Sequence, residues 1–99
     1  MEIEQVPALE WENWITRNDG VLIDVRQPFE WQLGTLPGAK LISMGDLPDE
    51  MESMDRSAPV LLVCHSGSRS QQAAAFMMIS GFEEVANLAG GMKALGMQP

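Results

Sequence analysis

Val60-Leu61-Leu62-Val63-Cys64-His65-Ser66-Gly67-Ser68-Arg69-Ser70 is the stretch from which the rest of the chain can be read. Four consecutive apolar residues predict a short strand buried on both faces, as in a parallel sheet. The strand stops at the sole cysteine of the sequence. Small and polar residues follow, then an alanine-rich helix expected from about Ser70 to Ser80. A strand that ends in a tight loop and enters a helix points the loop's backbone N–H groups inward, and the positive end of the helix dipole adds to them. Such a pocket favours an anion, and a cysteine at its floor is held as thiolate, the reactive form.

Outward from this stretch the chain alternates strand and helix, the pattern of an α/β domain. Ile3 to Val6 reads as a first strand, and Pro7 suits the first turn of a helix whose Trp11, Trp14 and Ile15 share one face. Core packing is the reading for those tryptophans. Asn18-Asp19-Gly20 closes the helix, and Val21 to Arg26 forms a second buried strand. Gln27 to Leu33 makes one or two helical turns, Pro37-Gly38 turns the chain, and Ala39 to Met44 is a third strand. Asp46 is expected to cap a short helix carrying Leu47, Met51 and Met54 on one side. Asp55 to Pro59 leads back to the strand ending at Cys64. Gly81 followed by Phe82 predicts a Schellman stop to the long helix. Glu84 to Leu88 is a fifth strand, and Gly90-Gly91 opens a short last helix.

The 99 residues are expected to form a single domain over 1–99, with an ordinary 45% hydrophobic content. One cysteine makes no internal disulfide, and one cysteine with one histidine makes no closed zinc site, so neither metal nor cofactor is expected. Met1-Glu2-Ile3-Glu4 lacks the basic and apolar regions of a signal peptide, and no apolar run is long enough to span a bilayer. A reducing, cytoplasmic compartment is the expectation. The net charge of −8 argues against nucleic acid or an anionic membrane as partner. A small anionic substrate would have to be drawn in by the local field of the loop.

Each candidate residue has a plainer alternative. A lone cysteine at a strand end is ordinarily a small buried hydrophobe. Here His65-Ser66-Gly67-Ser68-Arg69 supplies no apolar wall, and Gly67 permits a backbone that packing alone does not request, which favours a nucleophile. Arg69 at a helix start is an odd place for a cation, and suggests a nearby anion, either Cys64 or a bound sulfur oxyanion. His65 is adjacent to Cys64 and so poorly placed to face it as a base; it is read as lining. Asp24 and Arg26 are as readily structural as functional, and Phe29 and Trp31 wall either the pocket or the core. The eight methionines read as core filler.

The loop Cys64-His65-Ser66-Gly67-Ser68-Arg69 resembles the active-site loop of the rhodanese family of sulfurtransferases. Ile23-Asp24-Val25-Arg26-Gln27-Pro28-Phe29-Glu30-Trp31 with Gly34-Thr35-Leu36-Pro37-Gly38-Ala39 resembles that family's N-terminal signature. Gly81-Phe82 through Val85, Asn87-Leu88 and Gly90-Gly91-Met92 resembles its C-terminal one. The similarity runs from about Val21 to Leu95, with Thr35 where many members have histidine and Leu95 where many have tryptophan. It implies a three-layer α/β/α domain with a five-stranded parallel sheet in the order 3-2-4-5-1, and Asp24, Arg26 and Cys64 at the carboxyl edge where such sheets bind ligands.

The resemblance also implies sulfur transfer from thiosulfate or another persulfide donor to a thiol, a thiol-bearing protein or cyanide, through a persulfide on Cys64. His65, Ser66, Gly67, Ser68, Arg69 and Ser70 would then bind substrate and persulfide. Two alternatives stand beside it: a phosphatase or arsenate reductase of related fold, and a non-catalytic interaction module. Related phosphatases place one more residue between cysteine and arginine. Only four intervene here, which favours a cradle for one sulfur atom.

Overall fold

The computed structural model describes residues 2–97. Its central strand is the apolar run itself: β4, Val60–Val63, is buried at every position. On one side lies β2, Val21–Asp24, then the two-residue edge strand β3, Lys40–Leu41; on the other lie β5, Val85–Ala89, and β1, Glu4–Pro7. All pairings are parallel and the order is β1-β5-β4-β2-β3, as the resemblance implied. Val63 stands opposite Asp24, and Leu62 stands opposite both Ile23 and Asn87, so three strands deliver their carboxyl ends to one edge.

Alternation along β4 divides the core. Leu61 and Val63 pack with Trp14, Leu88 and Met92 on the face covered by α1, Trp11–Asn18, and α5, Gly91–Ala94. Val60 and Leu62 pack on the other face with Leu47 and Met51 of α3, Leu47–Met51, and with Ala73, Ala74 and Met77 of α4, Ser68–Ile79. Cys64 continues the parity of Val60 and Leu62, which places its side chain on the α4 face. The remaining helix, α2, Pro28–Trp31, follows β2 at the carboxyl edge.

Several boundaries differ from expectation. The long helix begins at Ser68, two residues before the expected start, because Gly67 at φ +100° occupies the N-cap and turns the chain directly into helix. It ends as expected: Phe82 N–H donates to the Met77 carbonyl and Gly81 N–H to that of Met78, with Gly81 at φ +101°. Pro7 closes β1 and precedes a 3-10 turn, Ala8–Glu10, so the helix starts at Trp11. The third strand shrinks to Lys40–Leu41 because β2 ends at Asp24, opposite Leu41, and the Ala39 N–H is taken by the Leu36 carbonyl of the preceding turn. Asp46 occupies the N-cap of α3 without capping it; its carboxylate accepts a hydrogen bond from Ser43 Oγ at 3.2 Å. None of the described helices is long and apolar enough to cross a membrane.

The second strand stops at Asp24 because its carboxylate takes the Arg26 N–H at 3.0 Å and the Arg26 guanidinium at 2.8 Å. Both side chains are fully buried, and Arg26 Nη2 also donates to the Gly34 carbonyl at 2.7 Å, tying the segment after α2 to the sheet edge. Removing one member of a buried pair strands the other charge, whereas removing both is far less costly. Arg26→Met should therefore destabilise the fold by about 3–5 kcal/mol. Combining it with Asp24→Leu should recover part of the loss. Denaturant titration checks this; a single variant as stable as the parent contradicts it.

Candidate active site

Cys64 leaves β4 with its sulfur fully buried beneath the first turn of α4. Gly67 N–H donates to Sγ at 3.1 Å, and the Ser70 hydroxyl lies 3.3 Å from it. Burial pushes the Cys64 thiol up, but the Ser70 hydroxyl and the N–H groups of Ser70, Gly67 and Ser66 outweigh it and hold the thiol below its ordinary value. The N-terminus of α4, a helix of 12 residues, adds its dipole in the same sense. A sulfur placed there carries negative charge at low cost.

The backbone of this loop is fixed from below. Met92 N–H donates to the Cys64 carbonyl and Lys93 N–H to the His65 carbonyl, each at 2.9 Å. Those donors belong to the first turn of α5 and would otherwise lack partners. The contact needs glycine: a Cβ on Gly91 would lie 2.5 Å from both the Cys64 and the His65 carbonyl oxygens. Gly91 is thus a site-forming residue that the sequence placed in the C-terminal signature and at the start of the last helix, with no role in the site.

Asn87 is the second residue the sequence reading passed over. It is a buried polar side chain in the middle of β5. Its Oδ1 accepts from the Ser70 hydroxyl, while its Nδ2 donates to Gln5 Oε1 at 3.0 Å and to the Gly67 carbonyl at 3.3 Å. One hydroxyl proton faces two acceptors, Asn87 Oδ1 and the Cys64 sulfur. Ser70 can therefore serve the thiolate without leaving its place. A polar residue inside an otherwise apolar strand was the available signal.

Arg69 meets an anion, as its odd position suggested, but that anion is Glu30. Arg69 Nη1 and Nη2 donate to Glu30 Oε1 and Oε2 at 2.7 and 2.8 Å. Glu30 is buried, and it also completes a capping box with Gln27, accepting the Gln27 N–H at 3.0 Å. The Arg69 guanidinium holds its carboxyl well below the usual range, to about 2, with the Gln27 N–H helping and burial opposing. Glu30 in turn raises the pKa of Arg69, with a smaller contribution from the Cys64 charge. The pair joins α2 to the cysteine loop across a separation of 39 residues, which no local pattern reveals.

Of the remaining candidates, His65 is half-buried with its Nδ1 facing no partner, and Ser66 and Ser68 are exposed on the outer side of the loop. Phe29 projects into solvent at 67% exposure, and Trp31 is half-buried. Gln5, Gln71, Asn87 and Gly90 line an open concavity beside Ser66, Gly67 and Ser68. Among the described residues no group of three or more histidine, cysteine or acidic side chains could hold a metal.

The sequence profile of the rhodanese-like domain matches residues 8–98. The Bacillus subtilis protein YtwF is 36% identical over 95% of this chain and 91% of its own length. The thiosulfate sulfurtransferase GlpE of Pseudoalteromonas translucida is 32% identical over 81% of this chain and 76% of its own. Among solved structures, a rhodanese-like domain protein from Staphylococcus aureus superimposes with a TM-score of 0.85 at 30% identity, covering 97% of this chain and 94% of that one.

The ion pair makes stability depend on acid. The folded Glu30 titrates near 2 against an ordinary 4.5, so between those values the unfolded chain binds more protons. The stabilisation is whole above the ordinary value and is lost as pH falls toward the folded one. With Arg69 partly exposed and screened, Glu30→Gln should cost about 1–2 kcal/mol near neutrality. That cost should shrink to almost nothing as pH approaches about 2. A difference that stays constant down the titration contradicts the assignment.

Proposed function

The chain belongs to the rhodanese-like sulfurtransferase family, and from that premise we propose that Cys64 carries sulfane sulfur as a persulfide between a small donor and a thiol acceptor. The observation that carries this reading is the convergence of backbone N–H groups and one hydroxyl on a single buried sulfur. The Cys64 thiolate attacks the outer sulfur of thiosulfate or of another persulfide donor. A new S–S bond forms, the donor's own S–S bond breaks, and its electron pair leaves on sulfite or on the donor thiolate. The donors around Cys64 then face a persulfide anion, and their fixed positions stabilise that charge without reorganisation.

The sequence holds one cysteine, so no second thiol within the chain resolves the persulfide. An external nucleophile takes the outer sulfur and restores the Cys64 thiolate: a thiol or thiol-bearing protein in a reducing compartment such as the cytoplasm, or cyanide in an assay. His65, Ser66, Gly67, Ser68, Arg69 and Ser70 form the surrounding loop. Within it, the Gly67 and Ser70 contacts to sulfur carry the chemistry and Arg69 shapes the rim.

Incubating the protein with thiosulfate or with a thiol persulfide should add one sulfur atom to its intact mass. Adding cyanide should remove it. Cys64→Ser should abolish the gain, because a hydroxyl is neither acidic nor polarisable enough to replace the thiolate. A gain that survives in Cys64→Ser, or no gain with any donor, rejects the proposal.

A further inference from the structure

Thiosulfate is a dianion that ends in a sulfonate, and a cation free to meet those oxygens would favour it. At this site the guanidiniums are already committed. Arg26 is fully buried against Asp24 and the Gly34 carbonyl. Arg69 Nη1 and Nη2 each donate to Glu30, in parallel bonds of 2.7 and 2.8 Å, so the carboxylate neutralises the guanidinium although its Nε–H takes no part in the pair. This is no loose surface pair: Glu30 is 4% exposed and is held from behind by the Gln27 N–H. Moving Arg69 onto a sulfonate would strand a buried carboxylate, which offsets what a charge-assisted bond returns. The net charge of −8 further disfavours a dianion.

We infer, on the basis of the sulfurtransferase reading above, that the Glu30–Arg69 pair sets donor choice: it neutralises the guanidinium that a sulfonate would meet, so the preferred donor is the persulfide of an uncharged thiol compound or peptide. The rest of the site fits such a donor. The N–H groups converge on one sulfur and ask for no trioxide beyond it. In the transfer, Cys64 sulfur attacks the outer sulfur of R–S–SH, a new S–S bond forms, and the donor's S–S bond breaks. The electron pair leaves as R–S⁻, which takes the proton from the more acidic Cys64 persulfide. One persulfide and one thiol stand on each side, with no net oxidation.

Loading rates of Cys64 should be measured by intact mass with thiosulfate and with the persulfide of 2-mercaptoethanol, in the parent protein and in Glu30→Gln. The amide still accepts the Gln27 N–H but releases the Arg69 charge. In the parent, the persulfide should load about tenfold or more faster than thiosulfate, consistent with the loss of a charge-assisted contact to the sulfonate. In Glu30→Gln the thiosulfate-to-persulfide ratio should rise about tenfold. The change in this ratio between the two proteins cancels the intrinsic reactivities of the two donors and any general damage. Thiosulfate loading as fast as the persulfide in the parent, which needs no variant to fold, overturns the inference. So does an unchanged or lower ratio in Glu30→Gln. Loading by neither donor would instead reject the sulfurtransferase reading itself.

Discussion

Two hydrogen bonds from the first turn of α5, Met92 N–H to the Cys64 carbonyl and Lys93 N–H to that of His65, fix the backbone on which the rest of the site depends. They draw the two carbonyls toward the α1–α5 face of the sheet, while the Cys64 side chain lies on the α4 face. With the carbonyls held away, what surrounds the sulfur is donors. The arrangement requires an absent side chain: a Cβ at Gly91 would meet both carbonyl oxygens at 2.5 Å, and φ +61° at that residue independently favours glycine. A contact on one face of the sheet therefore sets the electrostatics on the other.

Around that clamp the site is built of two polar systems that share the loop. Ser70, Asn87 and Gln5 run inward and sideways from the sulfur, and Asn87 fixes the loop by also donating to the Gly67 carbonyl. Arg69, Glu30 and Gln27 run outward to α2. The first system sets how readily sulfur ionises, and the second positions the rim. Their separation explains how Arg69 can sit within the electrostatic reach of Cys64 without binding it. The buried Asp24–Arg26 pair serves neither system directly; it ends β2 and anchors the chain leaving α2 through the Gly34 carbonyl.

The parallel sheet and its strand order were legible because β4 and β2 are uninterrupted apolar runs, and because glycines and prolines mark the turns between elements. The Schellman stop at Gly81 was legible for the same reason, since its bonding is local. What failed was what depends on neighbours. Lys40–Leu41 lost residues because its partner β2 ends at Asp24 and Ala39 is tied into the preceding turn, and Asp46 lost its capping role to a nearby Ser43 hydroxyl. Within the site, Cys64 and Gly67 stood out by residue type and order, and Ser70 entered only through the family resemblance. Glu30 did not: its partner is 39 residues away, and only the Gln27–Glu30 spacing hinted that its carboxylate was engaged. Asn87 and Gly91 were likewise visible as residues and invisible as contacts.

The central claim is that the fold lowers the pKa of the Cys64 thiol despite burying it completely. With one cysteine in the chain, the thiolate absorbance near 240 nm reports this group alone once tyrosine is absent, and the sequence contains none. That absorbance should be titrated against pH in the native protein and again in concentrated guanidinium chloride. The account predicts a native midpoint below the unfolded one, because the donors from Ser66, Gly67 and Ser70 exist only in the fold. A native midpoint at or above the unfolded value would mean that burial wins, and would contradict the account.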